Sequence, residues 1–269
     1  MRSRWPKTGP YWMTLLIVVA LSSNASGHWF DMTEEVDLEL VLAVDISASV
    51  DPFEAKTQRD GYVAAITDPS VIAAIRTGLI GKIAVTYVEW ADAEYQSQLV
   101  QWTAISDEAS AQAFAAALAA KPFNSAYDTS ISQAIDFAAS LLESNDYAGT
   151  RHVIDISGDG RQNQGRPLSA ARAEALSKGL IINGLPIMND RPQSDGTLTP
   201  RESNLDIYYN ENVIGGPGAF FVAVEDLEAF RSAILSKLIR EIVSAPSFPA
   251  SKFSAAPDKK ITSARLNRR

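Results

Sequence analysis

Residues Leu38 to Val50 read LELVLAVDISASV, an apolar run that leads straight into Asp45, Ser47 and Ser49. The apolar part predicts a buried strand. A chain leaving such a strand can curl, so that residues two apart point at one spot. Here those residues are one carboxylate and two hydroxyls, all hard oxygen donors. Hard oxygens suit Mg²⁺, Mn²⁺ or Ca²⁺ rather than zinc or copper. The stretch therefore predicts divalent-cation chemistry at the carboxyl end of a sheet strand. A competing reading has Asp45 and the two serines cap the next helix, because all three are good N-cap residues.

Two later segments shift the balance. Residues 124–142 read NSAYDTSISQAIDFAASLL, in which Thr129 opens a long amphipathic helix. Residues 151–163 read RHVIDISGDGRQN, a second apolar strand that ends in Asp159-Gly160. The order strand–DxSxS, threonine at a helix start, strand–DG resembles the metal-ion-dependent adhesion site of von Willebrand factor type A domains. The resemblance covers roughly residues 36–243 and rests on the three motifs jointly. In that family the serines and threonine bind the metal directly or through water, and the aspartates usually act through water. The resemblance thus implies a metal set of Asp45, Ser47, Ser49, Thr129 and Asp159, with Mg²⁺ or Mn²⁺ as the ion. It also implies one coordination position left open for an Asp or Glu of a partner protein. Two positions depart from the family pattern. Gly158 stands where many members carry a hydroxyl, and Asp128 where many carry glycine. A carboxylate at 128 either points to solvent or adds charge beside the metal, weakening its pull on an acidic partner.

Between the termini, strand and helix patterns alternate. Strand patterns fall at Leu38–Val44, Lys82–Trp90, Gln96–Trp102, Arg151–Ile156, Leu180–Pro186 and Ala219–Val224. Helix patterns fall at Phe53–Ile66 (with Pro52 in the first turn), Ala109–Ala119, Ser130–Leu142, Leu168–Ser177 and Leu227–Ile242. Tyr87–Ala91 and Ser97–Trp102 are close in sequence and read as a hairpin. The predicted fold class is α/β, a doubly wound, mostly parallel sheet with one antiparallel edge strand and helices on both faces. In such folds ligands bind outside the carboxyl ends of the strands, where strand order reverses. Asp45 and Asp159 both end strands and so belong to the same rim.

The chain has 269 residues, 46% of them hydrophobic and 21% charged, which suits one globular domain with terminal extras. The domain spans 36–243. Residues 1–25 combine Arg2, Arg4 and Lys7 with an apolar run from about Tyr11 to Leu21 and small residues up to Ala25. That pattern predicts a cleaved export signal and a periplasmic or secreted protein; an uncleaved anchor is the alternative. Residues 245–269 carry prolines, serines and no periodicity, and read as a disordered basic tail. Its Lys259, Lys260, Arg265, Arg268 and Arg269 suit a membrane surface or an acidic partner, a solvated tail being the plainer reading.

Composition excludes several chemistries. There is no cysteine, hence no disulfide, thiol catalysis or thiolate metal site. The two histidines are His28, just past the expected cleavage point, and His152, at a strand start, and both positions argue against a Ser-His-Asp triad. The net charge is −8. Setting aside the three basic residues of the leader, and a tail of six basic residues and one acid, leaves −16 on residues 26–244. Such a body repels nucleic acid and anionic membrane. No G-x-x-x-x-G-K-[ST] loop or G-x-S-x-G elbow is present. Gly215-Gly216-Pro217-Gly218 reads as a turn, Asn189–Asn204 as a long polar insertion, and Glu89, Asp92 and Glu94 as a structural acidic cluster with a second cation site as the minor reading. Two functions stay open. One is a non-enzymatic module that grips an acidic partner through a metal. The other is a metal-assisted phosphoryl-transfer or hydrolytic enzyme, against which Ser47 stands where an aspartyl phosphotransferase needs a second acid.

Overall fold

The computed structural model describes residues 33–47, 50, 52–188, 191–192, 198–199, 203–225 and 229–244. In chain order these form β1 (Glu34–Val36), β2 (Leu38–Asp45), α1 (Pro52–Ile66), α2 (Pro69–Arg76), β3 (Ile83–Trp90), β4 (Gln96–Ile105), α3 (Glu108–Ala119) and α4 (Ile131–Glu143). They continue with β5 (Tyr147–Gly149), β6 (His152–Gly158), α5 (Leu168–Ser177), β7 (Ile181–Pro186), β8 (Arg191–Pro192), β9 (Leu198–Thr199), α6 (Leu205–Tyr208), a π-helical turn Tyr209–Val213 and α7 (Phe230–Val243). The apolar leader and the basic tail lie outside the described residues. So does most of the polar insertion, of which β8 and β9 form a short antiparallel pair. Among the described residues no helix is long and apolar enough to cross a membrane.

The central sheet has the order β4-β3-β2-β6-β7. Strand β2 pairs in parallel with β3 and β6, β6 with β7, and only β3–β4 is antiparallel. The predicted doubly wound α/β architecture with its antiparallel edge is therefore the observed one. Every residue of β2 is buried, as an apolar run between helix layers requires. Leu38, Leu40, Leu42 and Val44 enter the core shared with α1, α2, α3 and α7. The alternate residues Val41 and Ala43 enter the one shared with α4, α5 and the π-helical turn. From β2 the chain winds to β3 on one side, and from β4 it crosses to β6 on the other. The reversal puts a crevice at the carboxyl ends of β2 and β6.

The expected strand Ala219–Val224 is reduced to two isolated parallel bridges, Gly184–Phe221 and Ile187–Val224. The segment does run beside β7: Gly184 donates to Phe220 O, Val222 to Gly184 O, Val224 to Pro186 O and Met188 to Val224 O. The ladder breaks where Pro186 has no N–H to give. Helix α2 and the small β1–β5 sheet were not read from the sequence. Asp68 caps α2 by accepting from Ser70 N, with Pro69 in its first turn.

Two sets of charges are buried in the α1/α7 layer. Arg59 of α1 pairs with Glu89 at the end of β3 and donates to Lys121 O and Pro122 O. Lys237 of α7 pairs with both Asp155 of β6 and Glu241, and Asn183 of β7 donates to Glu241.

Candidate metal centre

Asp45 is the last residue of β2 and is 1% exposed. The curl expected of the chain beyond it is present: Ser47 N donates to Asp45 Oδ1 at 2.7 Å, and Val50 N to Ser47 O at 2.8 Å. Ile46 N meanwhile bonds Trp90 O, fixing the exit of β2 to that of β3. Ser47 is as buried as Asp45. Ser49 lies outside the described residues.

Asp159 follows β6, whose register against β2 pairs Val44 with Ser157. Asp45 is thus level with Gly158, and Asp159 is one residue beyond. The approach is close: an ideal Cβ on Gly158 would lie 2.9 Å from Asp45 Oδ2. Any larger residue at 158 would push the carboxylate aside, which accounts for glycine where the family pattern carries a hydroxyl. On the far side of Asp159, a Cβ on Gly160 would lie 3.9 Å from Thr129 Oγ1. Thr129 and Asp159 are nearly buried, at 6% and 7% exposure. Asp45, Ser47, Thr129 and Asp159 therefore share one rim, at the carboxyl ends of β2 and β6.

Thr129 precedes α4 rather than opening it, and Ser130 is the N-cap. Three links hold this corner. Ser130 N donates to Ala91 O, Ala126 N to Ile46 O, and Thr129 N to Asn163 Oδ1 at 2.9 Å. Asn163 N returns a bond to Thr129 O at 3.0 Å. The Ser130 side chain makes no cap bond; instead Gln162 Oε1 accepts from Ser132 N at 2.7 Å. Gln162 and Asn163 thus clamp the Thr129 corner to the loop that carries Asp159. Both follow closely on the strand–DG, and their polar amides are the signal that the sequence offers for this role. Replacing Asn163 with Ala is expected to weaken cation binding about tenfold, as loss of a supporting contact does at metal sites. Titration calorimetry checks this, and unchanged affinity would show that the clamp is not needed.

The donor chemistry is of the kind that would suit a divalent cation: the carboxylates of Asp45 and Asp159 and the hydroxyls of Ser47 and Thr129, all hard oxygens, lie along a nearly dry rim. Among the described residues no group of three or more His, Asp or Glu side chains is placed to hold a metal. A site here relies on hydroxyls for the remaining ligands. Asp128 is half-buried and accepts from Gln164 Nε2 at 3.3 Å, so its carboxylate is engaged beside the corner. The acidic cluster does not converge, because Glu89 is committed to Arg59 and Asp92 accepts from Glu94 N. His152, the first residue of β6, lies 3.2 Å from Glu39, a structural contact at the strand's amino end.

A further residue belongs to this neighbourhood. Tyr209, in the π-helical turn, is fully buried. Its hydroxyl would be 2.8 Å from a Cβ on Gly158. Burial, and then the nearby charge of Asp45, push this phenol well above its usual pKa.

Residues 35–246 match the family model described as Protein of unknown function (DUF1194). No curated protein matches the sequence. Among solved structures, proximal thread matrix protein 1 from the mussel byssus, with a zinc-occupied MIDAS motif, aligns at a TM-score of 0.51 and 14% identity. That match covers 77% of this chain and 45% of the other. The pilus adhesin SpaC of Lactobacillus rhamnosus GG, in its open conformation, gives 0.54 and 14%, over 77% and 30%. A von Willebrand factor type A protein from Catenulispora acidiphila gives 0.51 and 13%, over 77% and 43%. This chain spans less than half the length of these proteins. At such identities the likeness establishes the fold, that of the von Willebrand factor type A domain.

Proposed function

The chain belongs to the family described as Protein of unknown function (DUF1194), and on its von Willebrand factor type A fold we propose that it is an exported, metal-dependent protein-binding module. The observation that carries the reading is the shared rim of Asp45, Ser47, Thr129 and Asp159. Ser49 completes the motif and is assigned with them. The mussel protein's motif holds zinc; the oxygen-only donor set here favours Mg²⁺ or Mn²⁺.

In this reading the cation supplies a Lewis-acidic position for a carboxylate from outside. The chain's own residues prepare that position. Asp45 and Asp159 provide the only formal negative charge among the five assigned residues, and the hydroxyls of Ser47, Ser49 and Thr129 are neutral. A partner Asp or Glu entering a partly dry rim is therefore attracted more strongly than it would be in water. The acidic body opposes its approach at long range, so association accelerates as salt screens the repulsion. Export is part of the proposal, supported by the basic–apolar–small pattern of residues 1–25.

The test is capture from the envelope of the native cell on immobilised mature protein, run with Mg²⁺ and again with EDTA. A partner retained only with Mg²⁺, and lost when its acidic residue becomes an amide, is the expected result. Equal retention in both buffers would remove the metal bridge.

A further inference from the structure

The Tyr209 hydroxyl is buried and, among the described residues, has no hydrogen-bond partner. A buried phenol O–H normally finds an acceptor. The way this ring is housed gives it a direction. Tyr209 starts the π-helical turn, where Ile214 N reaches back to Tyr209 O. Such turns are rare and concentrate at functional sites. Two glycines on adjacent strands make room for the ring. A Cβ on Gly184 of β7 would come within 2.8 Å of Tyr209 Cδ1. A Cβ on Gly158 of β6 would come within 2.8 Å of the hydroxyl itself. That second point is also 2.9 Å from Asp45 Oδ2, so phenol and carboxylate face each other across the bare backbone of Gly158.

The geometry points to Tyr209 as a positioning residue for Asp45: its O–H donates through one water to the carboxylate from behind the rim, and fixes how the carboxylate faces the cation. A tyrosine phenol is ordinarily neutral at physiological pH, so it orients the carboxylate without cancelling its charge. The inference rests on the metal-binding reading above.

One substitution tests it in the full chain, with Mg²⁺ alone as the probe in titration calorimetry and melting in EDTA as the control. Tyr209→Phe keeps the ring and removes only the hydroxyl. It is expected to weaken Mg²⁺ binding about five- to tenfold, the scale of one typical hydrogen bond. Its melting temperature in EDTA should stay within about 2 °C of the parent, since no direct hydrogen bond between protein groups is lost. A parent that binds Mg²⁺ and a Tyr209→Phe variant that binds it equally well would overturn the role of Tyr209 alone. Weakening accompanied by a fall of more than about 2 °C in EDTA would assign the loss to packing, again overturning it. A parent that binds neither Mg²⁺ nor Mn²⁺ would overturn the metal reading, and this inference with it.

Discussion

Replacing Asp45 with Asn is expected to abolish divalent-cation binding, lowering Mg²⁺ affinity by at least about a hundredfold. The substitution keeps the shape of a side chain that is 1% exposed and removes one of two formal charges on the rim. Asn also puts an N–H₂ donor where an oxygen is needed, so the lost attraction is joined by a wrongly directed dipole. The clearest readout is thermal. A ligand that binds only the folded state stabilises it by mass action, by about 2.7 kcal/mol at a hundred times its dissociation constant. The parent's melting temperature should therefore climb with Mg²⁺, while that of the variant stays flat. In EDTA the variant should melt no lower than the parent, because a buried carboxylate without a cation costs more than a buried amide. A variant that still gains melting temperature with Mg²⁺ would place the cation elsewhere.

The shared rim of Asp45 and Asp159 was legible in the sequence for a physical reason. Buried parallel strands read as continuous apolar runs, and in a doubly wound sheet their carboxyl ends share one rim. Locating β2 and β6 was thus enough to bring Asp45 and Asp159 together. Helices with strong local signals were legible in the same way: Pro52 starts α1, and Leu168–Ser177 was read with the boundaries it has. What escaped depends on contacts between distant residues. The Asn163–Thr129 clamp joins positions 34 apart, and no periodicity announces it. The slot for Tyr209 is cut by Gly158 and Gly184 on two different strands, each unremarkable alone. The sixth strand was misjudged from its own composition, when the deciding residue was Pro186 in its neighbour.

The second large effect concerns stability. Lys237 is 1% exposed and is the cation shared by Asp155 and Glu241, which are equally buried. Burial by itself disfavours the ammonium, but the two carboxylates outweigh it and hold its pKa above the usual value. Replacing Lys237 with Met keeps the apolar stem and leaves two carboxylates facing each other with no countercharge. The expected cost is about 3–5 kcal/mol, since breaking a buried ion pair strands a desolvated charge. In a domain of this size that lowers the melting temperature by roughly 10 °C. The loss should depend on pH, with a definite sign. Burial, and then the charge of Asp155, push Glu241 up to about 7 against the opposing pull of Lys237. Its folded pKa exceeds its unfolded one, so the folded state holds the extra proton. The stability this contributes is complete below about 4.5 and is lost as pH rises through about 7. Arg151, which donates to the carbonyls of Glu241 and Ile242, and Asn183, which donates to the Glu241 carboxylate, stay in place when Lys237 is removed. Without the ammonium, the carboxylates are harder still to ionise together. The variant should therefore lose more stability at pH 8 than at pH 5, measured by urea unfolding at both. Equal losses would mean that the ammonium contributes packing alone. Adding Asp155→Asn and Glu241→Gln should recover part of the loss, because a neutral hydrogen-bonded trio carries no stranded charge.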